Sequence, residues 1–264
     1  MLVFLKLGGS LITDKSRPRT ARRDVIQRLA AEVAQARRER PDLALVLGHG
    51  SGSFGHVEAQ RFGTARGVST PAEWRGMAEV WRVADLLNRI VIDVFAEAGL
   101  PVMRFSPSSG GIGQSGRVVA LPSEPLRMAL EGGLIPVVYG DVMLDQERGG
   151  MIASTEATFG YLAARLRPQK ILLAGLERGV YSDFPRGQTV IPVLTRREWG
   201  TLGGKVGGSM NADVTGGMAS KVQGMLDLMG NMPGLRAFIY SGESDGATRR
   251  VLLGEEVEGT WIQD

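Results

Sequence analysis

The chain has 264 residues, 43% of them hydrophobic, and 31 Lys and Arg against 28 Asp and Glu give a net charge of only +3. That balance suits one large α/β unit with an ample core, and the absence of cysteine excludes disulfides, thiolate metal sites and a cysteine nucleophile. No apolar run approaches the ~18 residues of a membrane span, and Met1-Leu-Val-Phe-Leu-Lys6 turns charged too early for a secretory signal, so a cytoplasmic protein is expected.

Apolar runs alternate with longer helical patterns, which predicts a mostly parallel sheet wrapped by helices. Strands are expected at residues 3–7, 43–47, 102–105, 135–139, 171–174, 190–193 and 237–240. The first strand runs into Lys6-Leu-Gly-Gly-Ser10, a glycine turn that leaves backbone N–H groups free to cradle an anion. A helix follows over residues 22–39, with Val25, Ile26, Leu29, Val33 and Ala36 on one stripe. Arginines cluster between Arg17 and Arg40 but include no aromatic residue for base stacking, so they read as a solvated helix face and no nucleic-acid partner is expected.

The second strand ends in another cradle, His49-Gly-Ser-Gly-Ser-Phe-Gly-His56, which holds both histidines of the chain. His49, at the strand end, reads as structural, and His56 as the functional imidazole. Thr70-Pro-Ala-Glu73 then carries the marks of a capping box with proline at the first helical position. The helix it opens bears Trp74, Met77, Trp81, Ala84, Asn88, Val91 and Phe95 on one stripe, ending near Gly99. That stripe reads as core or as the wall of an apolar ligand cavity. Residues 106–116 read as a Ser/Gly-rich loop, and a second glycine-rich stretch covers residues 200–217. Asp141, after a strand and a glycine, is either an organiser of active-site lysines or a turn aspartate. In Asp213-Val-Thr-Gly-Gly-Met-Ala-Ser-Lys221, Thr215 can cap a helix that starts near Gly216 and carries Lys221 one turn in, a site suited to nucleotide phosphates.

Gly50-Ser-Gly-Ser-Phe-Gly55 fits G-x-G-x-x-G, but the acid expected about 20 residues on would be Glu73, which belongs to the capping box. Gly204-Lys205 lacks the leading glycine and the following Ser or Thr of a P-loop. A zinc site on His49 and His56 lacks carboxylates at a supporting spacing, so no protein metal site is expected.

Taken together, Lys6 to Lys15, His49 to His56, Gly179-Val-Tyr-Ser-Asp183 and Asp213 to Met218 resemble the amino acid kinase superfamily, and within it the isopentenyl phosphate kinase branch. The resemblance implies a three-layer α/β/α sandwich with a mostly parallel central sheet. It also implies transfer of the γ-phosphoryl group of ATP to the phosphate of isopentenyl phosphate, with Mg²⁺ accompanying ATP. A single domain over residues 1–264 is expected, its N-terminal lobe to about residue 166 binding the acceptor and the remainder binding ATP, in a homodimer. By resemblance, Lys6 and Lys221 hold ATP phosphates and stabilise the transition state, with Lys15 approaching from the acceptor side. Gly8, Gly9 and Ser10 offer N–H groups to ATP, together with Ser51 and Gly217, while Gly179, Tyr181 and Asp183 border the nucleoside. Gly50, Gly55 and His56 hold the acceptor phosphate, His56 as an orienting donor, because a phosphate acceptor is already anionic. Met77, Trp81 and Ala84 would face the five-carbon tail, with Ser154 nearby.

Two departures stand out. Ser51 replaces the middle of three glycines usual in the branch, and Ile152-Ala-Ser-Thr-Glu156 stands where relatives carry Ser-Gly-Asp-like residues. A fosfomycin kinase-like phosphonate kinase is the alternative enzyme, although a small polar acceptor would not want two tryptophans and a methionine beside the cradle. A non-catalytic nucleotide sensor is the alternative from another class, yet such domains tend to lose the lysines that this chain keeps.

Overall fold

The computed structural model describes residues 1–183, 186–202 and 217–264. Its strands are β1 (Leu2–Leu7), β2 (Ala44–His49), β3 (Val102–Arg104), β4 (Ile112–Gln114), β5 (Arg117–Ala120) and β6 (Ile135–Tyr139). There follow β7 (Asp141–Asp145), β8 (Gly149–Ala153), β9 (Lys170–Gly175), β10 (Val193–Thr195), β11 (Arg236–Ser241) and β12 (Gly259–Gln263). The helices are α1 (Gly9–Ile12), α2 (Arg23–Glu39), α3 (Gly52–Phe62), α4 (Pro71–Glu97) and α5 (Glu124–Glu131), then α6 (Thr155–Leu166), α7 (Arg196–Leu202), α8 (Gly217–Gly230) and α9 (Ala247–Leu253).

Eight strands form one sheet in the order β10-β12-β11-β9-β1-β2-β6-β3. Every neighbouring pair is parallel except β11 with β12. Continuous apolar runs suit this sheet because both its faces are covered. Val3, Leu5 and Leu7 of β1 point to one side, into a core with residues of α2, α4 and α9. Phe4 points to the other side, where its ring lies 4.9 Å from that of Phe159 on α6, in a second core shared with α8. The expected three-layer sandwich is thus the fold. Lys6 shares the Phe4 face, and this alternation decides which helix it meets.

Three sequence expectations shift. The strand read at residues 190–193 is β10, three residues later, because Val190 bridges Tyr181 and Pro192 lends only its carbonyl, which accepts from the Trp261 N–H at 2.9 Å. Residues 106–116, read as a loop, contain a 3₁₀ turn (Pro107–Ser109) and β4, one strand of a second sheet ordered β5-β4-β7-β8. On α4 the capping box forms as expected. Met77, Ala84, Asn88, Val91 and Phe95 are buried, but Trp74 and Trp81 are each 41% exposed. At ~100° per residue Trp81 stands about 40° round from Met77, at the rim of the stripe.

Several arginines of the basic cluster hold α2 in place. Arg22 donates to Glu243 at 2.6 Å, and Arg40 to the Leu253 carbonyl at 3.0 Å. Arg28 reaches both Glu32 at 2.7 Å and the Gly242 carbonyl at 2.6 Å. Buried Glu32 also accepts from the N–H groups of Gly246 at 3.0 Å and Thr248 at 2.9 Å, so a carboxylate on α2 caps the start of α9. Glu32→Ala removes the anion from this buried set and is expected to cost about 3 kcal/mol of stability in urea unfolding. A loss below 1 kcal/mol would contradict this account of the cap.

Candidate active site

The carboxyl ends of β1 and β2, adjacent and parallel, present the two glycine turns side by side. The fit is tight. A Cβ on Gly9 would stand 2.5 Å from the Gly52 nitrogen and 2.7 Å from its Cα, and one on Gly50 would stand 2.8 Å from the Gly9 nitrogen. Glycine is needed at these places because two backbones touch. Thr13 ties the turns together, its Oγ1 donating to the Gly9 carbonyl at 2.7 Å and accepting from the Ser53 N–H at 3.0 Å.

Within the first turn, Gly8 spends its N–H on the Ala174 carbonyl at 2.8 Å. Gly9 and Ser10 open α1 and have no intrahelical partner for theirs. Within the second, Gly50 donates to the Leu7 carbonyl at 3.0 Å and Gly55 to the Ser51 carbonyl at 3.3 Å. Among the described residues, the donors left unspent at the head of α3 are those of Ser51 and Gly52. Ser51 takes ordinary helical angles (φ −82, ψ −13), so serine serves where the branch usually has glycine. Gly55 is required for fit, since its Cβ would lie 2.6 Å from Ser51 Oγ. His56 falls within α3.

Lys6 is 7% exposed and its ammonium pairs with Glu156 at the start of α6. Burial pushes the Glu156 carboxyl up, but the charges of Lys6 and of Lys221 on α8 outweigh it and hold the group below its ordinary value. Glu156 thus gathers the two lysines, the role left open for Asp141. Glu156 had no role in the sequence reading, and neither did Thr13 or Gly52. The neighbours of Glu156 are equally committed, since Ser154 Oγ caps α6 by accepting from the Ala157 N–H at 3.1 Å and Thr155 Oγ1 donates to the His49 carbonyl at 2.7 Å. Thr215, Gly216 and Asp213 lie outside the described residues, and Gly217 opens α8 with φ +66.

His49 is fully buried and its ring stacks on Tyr139 at 5.6 Å. Burial keeps its pKa low, with the Lys6 charge acting in the same direction against the Gly50 and Asn88 contacts. A neutral ring donates from Nδ1 to the Gly50 carbonyl at 3.1 Å, and its Nε2 is met by the Asn88 amide at 3.1 Å. Turning that amide so that its NH₂ faces Nε2 also satisfies Asn88 Nδ2, otherwise buried without a partner. His49 is structural, as read.

Asp141 anchors a loop. Its oxygens accept from the N–H groups of Ser108 at 3.1 Å and Val142 at 2.8 Å, and burial, reinforced by the Asp85 charge, pushes it up to about 6. An acid held above its unfolded value keeps its proton better when folded, so this group's contribution falls as pH rises from about 4 to about 6. Asp141→Asn is expected to raise stability at pH 8 by up to about 2 kcal/mol and leave it unchanged near pH 4, as read by urea unfolding. A variant destabilised at pH 8 would contradict this.

The other expected positions are dispersed around this centre. Lys15 is exposed on the turn after α1. Met77 is buried with Ala59, Val68, Val80 and Val142, and the partly buried Ile152 packs on this small apolar cluster beside α3. Gly179 packs against Thr260, which a Cβ would approach to 2.6 Å, and Tyr181 accepts from the Arg178 N–H at 3.2 Å. Asp183 uses its carboxylate on the N–H groups of Gln188 and Thr189, at 3.2 and 3.1 Å.

Residues 1–241 match the amino acid kinase family. The chain belongs to that family. This amino acid kinase is 33% identical to an isopentenyl phosphate kinase of Methanothermobacter thermautotrophicus, covering 99% of this chain and 98% of that one. It is 30% identical to an isopentenyl phosphate kinase of Methanocaldococcus jannaschii over the same shares. Among solved structures it superposes on an isopentenyl phosphate kinase with a TM-score of 0.84 at 29% identity, each chain covered in full. An isopentenyl phosphate kinase substrate complex gives 0.78 at 25%, again over both whole chains. In this amino acid kinase the glycine turns, Lys6, Glu156 and Lys221 gather at one end of the central strands.

Proposed function

We propose that the chain transfers the γ-phosphoryl group of ATP to the phosphate of isopentenyl phosphate, forming isopentenyl diphosphate and ADP. The observation that carries this is the pair of abutting glycine turns, one flanked by Lys6, with Glu156 and Lys221 beside it. Two phosphates must meet in line, and the protein's work is to hold them and offset their charge. Gly9, Ser10 and Ser51 take the ATP side, Gly52 the acceptor side, and Lys6 and Lys221 neutralise charge on the transferring group. Lys15 closes on the phosphates from the acceptor side, and His56 donates to the acceptor phosphate. The cluster around Met77 takes the apolar tail, with Ala84 two turns further along α4 and Trp81 at the rim of the stripe.

Mg²⁺ comes with ATP, held mainly by phosphate oxygens and water. The donor set suits that division, because the described site offers ammonium and N–H groups and its one carboxylate is committed to the lysines. The lobe to about residue 166 serves the acceptor and lends Lys6, Gly9 and Ser10 to the phosphates of ATP, which the remainder otherwise binds. A homodimer, supported by half-exposed Leu86 on α4 and Met103 on edge strand β3, belongs to the same reading, as does a cytoplasmic location. No described helix is long and apolar enough to cross a membrane.

The test is ADP release with ATP and Mg²⁺, comparing isopentenyl phosphate with fosfomycin and including His56→Ala. Turnover on isopentenyl phosphate that collapses in the variant is expected. Turnover on fosfomycin alone would overturn the acceptor while keeping the kinase chemistry.

A further inference from the structure

Lys15 sits on an arm that leaves α1 at Thr13 and returns at Ala21, where the two residues form an antiparallel bridge. The Asp14 N–H donates to the Thr20 carbonyl at 2.9 Å, and Asp14 Oδ1 accepts from the N–H and hydroxyl of Ser16 at 2.8 and 2.6 Å. The arm is therefore shaped from within, but its direction is set by α3. At its base Thr13 holds the Ser53 N–H. Near its tip Arg19 donates its own N–H to the Ser53 carbonyl at 3.2 Å and its guanidinium pairs with Glu58. Arg19 has φ +53, one of three non-glycine residues in that region among the described residues. Such a conformation persists only where surrounding contacts over-determine it. The Glu58 side chain is 7% exposed, and Arg61 stands 3.7 Å from its other oxygen. A buried carboxylate that spans two elements at a strained residue does more than a surface ion pair needs to do.

We infer that the Arg19–Glu58 pair is a positioning clamp that fixes the Lys15 arm against α3, so that Lys15 reaches the phosphates held at the head of that helix. Arg19 acts through Lys15 and touches no substrate. The inference rests on Lys15 being a phosphate-binding cation, as in the function proposed above.

The experiment measures kcat, both KM values and thermal melting for the unaltered 264-residue chain and for Arg19→Met, Lys15→Met and the double variant. Arg19→Met leaves Glu58 with Arg61, so the fold is kept, and Glu58→Gln supplies a second break of the clamp. Arg19→Met is expected to lower kcat roughly tenfold with KM for isopentenyl phosphate within about twofold. Added to Lys15→Met it should cause no further loss, and Arg19→Lys should recover much of the rate. A folded Arg19→Met or Glu58→Gln enzyme with unchanged kcat, beside an impaired Lys15→Met, overturns the clamp alone. An equal further loss in the Lys15→Met background overturns it as well, because the effect would not pass through Lys15. A fully active Lys15→Met enzyme overturns the clamp together with the Lys15 assignment. Absence of wild-type turnover on isopentenyl phosphate instead fails the proposed function, and the clamp with it.

Discussion

Lys6→Met is expected to lower kcat by two to three orders of magnitude, about 3–4 kcal/mol of barrier, while the protein stays folded. β1 delivers this ammonium, nearly buried, to the glycine turn at its own carboxyl end, where an ATP phosphate would lie. Methionine preserves the unbranched stem and its packing but removes the only part able to offset phosphate charge. Glu156 keeps Lys221, so the substitution does not strand a carboxylate among apolar groups.

The pH dependence separates this account from simple damage. Glu156 is held below its ordinary pKa of 4.5 by both lysines, so its contribution is complete above that value and is lost as pH falls through the lower folded value. Without Lys6 the folded pKa rises toward the unfolded one, so the contribution shrinks and the loss on acidification, which still begins as pH falls through about 4.5, is smaller and ends at higher pH. Urea unfolding of wild type and variant between pH 3 and pH 7, beside kcat at pH 7.5, reads both effects. A kcat within about threefold of wild type would remove Lys6 from the chemistry.

Gly52→Ala is expected to reduce kcat/KM at least a hundredfold and to cost about 3 kcal/mol of stability. Gly52 has φ +47, and its Cβ would run into Thr13 and stand 2.6 Å from the Gly9 carbonyl. An alanine there forces the two phosphate turns apart. Gly99→Ala is the control, because Gly99 has φ +78 but nothing within 4 Å of a Cβ. It isolates the conformational cost, about 1 kcal/mol, and should leave turnover intact. Equal effects of the two substitutions on kcat/KM would show that the close approach of the turns does not matter to catalysis.

Much of this site is legible from the chain because its parts are local. A strand ending in Gly-Gly-Ser, a second ending in Gly-Ser-Gly-Ser and the capping box at Thr70 each declare themselves within ten residues or so. Glu156 does not, because its partner Lys6 is 150 residues away and they meet only when α6 crosses the Phe4 face of β1. The available signal was an acid just inside a helix, behind a Ser154 cap, in the Ile152–Glu156 stretch that departs from the branch pattern. Residues 106–116 hid a strand because β4 is only Ile112-Gly113-Gln114, too short for an apolar alternation to betray it. The tryptophans of α4 illustrate the limit of periodicity, since a stripe wide enough to include Trp74 and Trp81 is wider than the face that α4 buries.

The most direct measurement is ³¹P NMR of the wild-type protein with ATP, Mg²⁺ and isopentenyl phosphate. Replacement of the monophosphate resonance by a pair of mutually coupled diphosphate signals, one for each ADP formed, is predicted. ADP that accumulates with free inorganic phosphate, while the monophosphate resonance stays unchanged, would contradict the account.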